Sequence, residues 1–205
     1  MHVAWCVVLG SLAFALGARY QLRRPAWFAV LVFAWSLWPG PLSPSYWLGL
    51  AFQAPSLMSI VLCAVWIVQK SKLSQLKWLA AVPNEGSSWY LQLAGIFLGW
   101  VLLCDLLALW PTSIYAWGFG TPAVALACTL ALILWRMGVA RKDGQLFTLS
   151  FALVITLFVF TRLPSGNLWD ALIDPWLWVV LQVNGLISLN RRRNFEKRAP
   201  IATRV

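Results

Sequence analysis

"PAWFAVLVFAWSLW", residues 25–38, lies between the pair Arg23 and Arg24 and the charge-free stretch "PGPLSPS" at 39–45. Whether it crosses a bilayer decides the fold. As a helix rising about 1.5 Å per residue it measures about 21 Å, short of a hydrocarbon core about 30 Å thick. The two arginines can snorkel at one end, and local thinning of the bilayer can cover the remainder. If the stretch is left out of the count, the basic loops around it fall on opposite sides of the membrane. Counted as a span, it puts them on the same side.

The rest of the chain supports a bilayer as solvent. It is 61% hydrophobic and 11% charged over 205 residues, with a mean hydropathy of +0.75. That is too little polar surface to cover a soluble globule. The apolar runs are long and uninterrupted, which predicts helices rather than strands of alternating faces. Seven spans are expected, near residues 2–18, 24–38, 46–68, 90–110, 116–137, 146–162 and 174–189. The expected fold is an all-α integral membrane protein: one transmembrane domain of seven helices over 1–189, then a basic cytoplasmic tail at 190–205.

Charge tests that count independently, because cytoplasmic loops retain Lys and Arg. Arg19, Arg23 and Arg24 follow span 1; Lys70, Lys72 and Lys77 follow span 3; Arg136, Arg141 and Lys142 follow span 5. The tail holds Arg191, Arg192, Arg193, Lys197, Arg198 and Arg204. Only Arg162, of 16 basic residues, falls in the intervening loops. This places the N-terminus outside and the C-terminus inside, in a bacterial inner (plasma) membrane. A secretory signal needs positive charge before its apolar run, and here the positives follow it, so span 1 reads as a retained anchor.

The net charge of +10 follows from topology and does not describe a nucleic-acid surface. The tail reads as a stop-transfer and orientation signal able to touch anionic lipid headgroups. Cys6, Cys63, Cys104 and Cys128 lie inside spans without C-x-x-C spacing, which argues against a disulfide exchanger. His2 is the single histidine, which removes bis-histidine haem and histidine-based metal sites. The last span has no lysine for a retinal Schiff base. No cofactor is expected.

Of 15 tryptophans, Trp38, Trp47, Trp110, Trp117, Trp169, Trp176 and Trp178 cluster near the outer boundary as an aromatic belt; a Trp-lined pocket is the sharper alternative. The turns "LWPGPLSPSYWLG" and "LWPTSIYAWG" resemble each other, and "RLPSGNLWD" keeps part of the pattern. Two readings stand: a repeated helical hairpin, giving one leading helix plus three hairpins, or proline ending helices and tryptophan marking interfaces wherever a chain turns. Gly95 and Gly99, with Ala123, Ala127 and Ala131, form small-residue faces. They predict close packing of spans 4 and 5, on each other or on a membrane-protein partner. Residues 71–82 read as an interfacial helix or an ordinary loop.

Polar groups in so apolar a chain are the candidate site. Asp174 has N-cap character, with Pro175 at the first helical position, so that Asp174→Asn is expected to be nearly silent. Asp170 lies one turn earlier. Asp105, five residues inside Trp110, is expected about 7 to 8 Å below the boundary, where an ion requires a partner. Arg162 is the one cation on that side, and an Asp105–Arg162 pair is the expected contact. Gln53, Gln182 and Asn184 add amides that line a path or join helices.

Three functions are compatible with these residues. A non-catalytic component of a membrane complex is favoured by short loops and the lack of a chemical motif. A small-solute carrier would use Asp105, Gln53, Gln182 and Asn184. An outer-leaflet enzyme would use Asp105, Asp170 or Asp174 as acid or base with Arg162 on an anionic headgroup.

Overall fold

A computed structural model describes residues 2–70, 89–140 and 145–198, and among these it is all-α with no strand. The expected interfacial segment at 71–82 lies outside the described residues. Ten helices follow in order: α1 (His2–Arg19), α2 (Pro25–Leu37), α3 (Pro44–Phe52), α4 (Leu57–Lys70), α5 (Trp89–Leu106), α6 (Ile114–Trp117), α7 (Thr121–Ala140), α8 (Gln145–Thr161), α9 (Leu168–Leu172) and α10 (Pro175–Arg198). One of them, α1, is long and apolar enough to cross a membrane by itself; α2, α4 and stretches of α5, α7 and α8 are shorter apolar helices.

After α1 the order is long, short, long, three times over. Proline starts many of these helices: Pro25, Pro44 and Pro175 each occupy the first helical position, where the missing N–H costs nothing. The long helices on either side of a short one do not pair extensively with each other. The main packing partners are α1 with α2, α7 with α8, α5 with α10, and α4 with both α1 and α8. The interposed short helix spreads each pair apart, so the hairpins expected from the turns are not self-packed units. Spans 4 and 5 correspond to α5 and α7, which pack closely on α10 and α8 and not extensively on each other.

Span 3 also needs correction. Instead of one helix over 46–68, the chain breaks at Gln53–Ser56 between α3 and α4. Ser45, near the start of α3, hydrogen-bonds His2 at 3.2 Å, and the Gln53 carbonyl past its end accepts from the Trp5 indole at 2.7 Å. His2 and Trp5 are separated by only about 4.5 Å of helical rise, whereas Ser45 and Gln53 are separated by about 12 Å. Helix α3 therefore lies across the end of α1 rather than along it. Its last residue, Phe52, meets Trp176 at the start of α10 edge-on, with ring centroids 5.0 Å apart.

Buried side chains form two clusters. Ala123 and Ala127 of α7 pack on Ile155 and Phe158 of α8, with Leu168 and Ala171 of α9 above them. Met58 and Val61 of α4 meet Val154 of α8. The alanine face of α7 is thus consumed inside the molecule, and the glycine face of α5 is as well. A Cβ on Gly95 would approach Leu181 to 2.7 Å, and one on Gly99 would approach Trp178 to 2.2 Å. At the other end of the chain, α10 runs past 189 through the basic run to Arg198, so no break separates span from tail.

Candidate functional site

The turns containing α3, α6 and α9 gather at one end of the described residues, and three of the six acidic residues, Asp105, Asp170 and Asp174, gather with them. Asp174 behaves as the sequence predicts and does more. Its Oδ1 accepts from Leu177 N–H at 2.7 Å, the N-cap contact to the third residue of α10. Its Oδ2 accepts from Ser56 N–H at 2.8 Å and from the Ser59 hydroxyl at 2.6 Å. One carboxylate therefore holds the N-termini of α4 and α10 together, with the positive ends of both helix dipoles turned toward it. Ser56 completes the start of α4 by accepting from Ser59 N–H at 3.1 Å.

Asp105 is not paired with Arg162. It accepts from Ile114 N–H at 2.9 Å, Tyr115 N–H at 2.8 Å and the Ser113 hydroxyl at 3.1 Å. These donors open α6, so the carboxylate closes the turn between its own helix and the next. Arg162 instead lies over the Phe158 ring, 5.5 Å from its centroid, and no ion pair joins it to an acid among the described residues. The unbroken helix expected from Asp105 to Trp110 is not present. Helix α5 ends at Leu106, with Ala108 in the left-handed region at φ 53° and Leu109 N–H bonded back to the Cys104 carbonyl at 3.1 Å. Asp105 is in the last turn of its helix, within reach of the next turn's backbone donors.

The α6 and α9 turns are joined by side chains. Asn167, fully buried, caps α9 by accepting from Trp169 N–H at 2.9 Å and donates through Nδ2 to the Tyr115 carbonyl at 2.9 Å. The Trp169 indole donates to the Ile114 carbonyl at 3.0 Å, and Leu168 N–H donates to the Gly118 carbonyl at 2.9 Å. Asp170 accepts from the Tyr115 hydroxyl at 2.7 Å and from Ser165. Neither Asn167 nor Tyr115 is picked out by the sequence. The signal for Asn167 is its place one residue before Leu168-Trp169-Asp170, a cap followed by a helical turn.

Burial first, and then the bond to Asp170, pushes the Tyr115 phenol from 10.0 up to about 12. A raised folded-state pKa means that the neutral donor stabilises the fold fully below about pH 10 and that this contribution is lost as pH climbs through about 12. We expect the stability difference between wild type and Tyr115→Phe, measured by thermal denaturation in detergent, to be constant up to about pH 10 and to shrink above it. A difference that instead grows with alkalinity would show that Tyr115 is not a neutral donor in the fold.

Two cavities adjoin this network. A polar cleft of about 220 Å³ is lined by Gln53, Tyr115, Ser165, Asp170 and Asp174 among others. An apolar groove of about 620 Å³ lies between α5 and α7, lined also by Met58, Phe151, Trp169 and Ile173 and by Leu177 and Leu181 of α10. It exists because α5 and α7 pack on other helices and not on each other. Of the residues expected to form one site, Gln53 joins Asp170 and Asp174 at the cleft and Asn184 lines the groove. Asp105, Arg162 and Gln182 line neither of these two cavities. Of the tryptophans expected in the belt, Trp38, Trp47, Trp110, Trp117 and Trp176 are exposed, while Trp169 and Trp178 turn inward to donate to backbone carbonyls. Comparison with protein-family models, characterised proteins and solved structures gives no match.

Proposed function

We propose that the chain is a seven-span integral membrane protein, N-terminus out and C-terminus in, that serves as a non-catalytic component of a membrane complex. The spans are α1, α2, α4, α5, α7, α8 and α10, with α3, α6 and α9 at the outer turns. The alternating basic loops support this arrangement, and the short apolar helices fit it as described for α2. The basic tail then meets anionic headgroups at the inner surface.

One observation carries the functional reading. Asp105, Asp170 and Asp174 each accept two or three hydrogen bonds from the protein's own turns. Carboxylates engaged in this way fix helix ends and are poorly placed as a general base or as stations on a solute path. The carrier reading is weakened further because its polar residues lie apart. The enzyme reading retains one supporting feature, the cleft that Asp170 and Asp174 share.

The test begins with topology, in a version lacking the four native cysteines. Cysteines at Leu42 and Ser165 should react with an impermeant maleimide in intact cells, and cysteines at Lys142 and Arg198 should be protected. Protection at both outer positions would invert the arrangement. The purified chain in vesicles should neither move solutes nor cleave lipid headgroups; activity abolished by Asp170→Asn would replace the component with an enzyme.

A further inference from the structure

The apolar groove and the polar cleft meet at one side chain. Ile173, between α9 and α10, lines both of them. Around it the chain alternates between the two cavities: Asp170 and Asp174 line the cleft, while Trp169, Leu172 and Leu177 line the groove. A molecule lying in both would need an apolar body and a polar end.

The groove has the dimensions of a hydrocarbon-chain site. Its wall on α7 extends from Ala123 to Leu134, about 16 Å of helical rise. That is about half of a core about 30 Å thick, the depth of one leaflet. Small residues on both walls, Ala94 and Gly95 of α5 with Ala123 and Ala127 of α7, leave the width. Leu126 and Leu130 in the wall are 58% and 45% exposed, so the groove is open along α7. In a bilayer the medium at that opening is hydrocarbon, and an apolar chain gains little by moving from lipid tails to apolar walls. Selection among lipids therefore falls to the polar end.

At that end the charge is all of one sign. Two carboxylates and the Gln53 amide line the cleft of about 220 Å³, and no basic residue does. Both hydrogen bonds that Asp170 accepts end on its Oδ2, which leaves Oδ1 without a partner among the described residues. A cationic head complements this cleft and an anionic one is repelled. A primary ammonium, like that of lysine, brings three N–H donors to these acceptors, whereas a quaternary ammonium brings none. We infer that groove and cleft together hold one outer-leaflet lipid with a primary-ammonium head, its chain between α5 and α7 and its ammonium against Asp170 and Asp174. A phospholipid with an ethanolamine head has this chemistry.

The inference rests on the seven-span reading, and the experiment separates the two. The full chain is reconstituted in phosphatidylcholine vesicles containing a trace of phosphatidylethanolamine with a photoactivatable diazirine midway along one acyl chain. A parallel set contains the same acyl chain on phosphatidylglycerol, and labelled residues are mapped by mass spectrometry. The ethanolamine probe should label groove residues of α5, α7 and α10 about two- to five-fold more than the glycerol probe, the range of an exposed ion pair. Asp170→Asn, which keeps an oxygen for Tyr115 and Ser165, should erase that preference. Ala94→Trp and Leu130→Trp, which fill the groove from exposed positions on opposite walls, should each remove groove labelling by both probes. Equal groove labelling by the two probes, a preference unchanged in Asp170→Asn, or labelling confined to outward faces such as Trp27 and Leu31 of α2 would each overturn the inference. The last of these would leave the seven-span reading intact; no labelling in any helix would overturn both.

Discussion

Asp174→Ala should lower the stability of the fold more than any other single polar substitution among the described residues. The side chain joins two helices that are more than a hundred residues apart in sequence, through one bond to the start of α10 and two to the start of α4. Losing a helix cap costs about 1 kcal/mol, and hydrogen bonds to a charged group contribute about 1.5 to 3 kcal/mol. With partial solvent access at this position, the total is on the order of 3 kcal/mol, a large share of a typical margin of about 5 to 15 kcal/mol. Asp174→Asn should be intermediate and not silent. Its amide oxygen can still cap α10, but the amide N–H₂ then faces the Ser56 N–H, donor against donor. Thermal denaturation in detergent and the yield of monodisperse protein measure the series. An alanine variant as stable as wild type would mean that α4 and α10 are held together elsewhere.

The all-helical class was legible in the long uninterrupted apolar runs, which fit helices and not strands of alternating faces. Helix starts were legible where proline and an oxygen-bearing side chain stand together, as at Asp174-Pro175. Helix ends were not. A left-handed residue after a helix is usually glycine, but α1, α3, α5 and α8 are followed by Gln21, Gln53, Ala108 and Arg162, all at positive φ between 53° and 59°. Nothing in "LLCDLLALW" announces that α5 stops at Leu106, so a count of helical rise from Trp110 to Asp105 does not hold.

The Asp105–Arg162 expectation failed for a related reason. An acid in an apolar chain needs a partner, but backbone N–H groups at the start of the next helix satisfy it as well as a guanidinium. Those donors belong to every residue, so composition does not reveal them. The turn at 53–56 was hidden in the same way. "LAFQAPSLMS" reads as one apolar run with a proline in it. Only the contacts of Ser45 and Gln53 to α1 show that its first part lies across the bundle end and its second part enters the bundle.

Gly99→Ala should be markedly destabilising and Gly95→Ala close to neutral, although a G-x-x-x-G pattern gives the two glycines equal standing. At both positions alanine gains about 0.8 to 1 kcal/mol of helix propensity. At Gly95 the new methyl meets a single atom, the Leu181 Cδ1 at 2.7 Å, the end of a flexible side chain that can turn aside. At Gly99 it meets three indole atoms of Trp178 between 2.2 and 2.7 Å. That ring is held by its N–H bond to the Ile96 carbonyl at 3.1 Å and by an edge contact to Trp100 at 5.1 Å. Accommodating the methyl therefore moves a large side chain out of its hydrogen bond, at about 1 kcal/mol, in addition to overpacking of about 1 to 3 kcal/mol. The net loss expected for Gly99→Ala is about 1 to 3 kcal/mol. In Trp178→Leu, which removes the obstructing ring, the cost of adding Gly99→Ala should largely vanish. A Gly99→Ala effect that persists unchanged in the Trp178→Leu background would show that α5 approaches α10 by backbone contact and not around this indole.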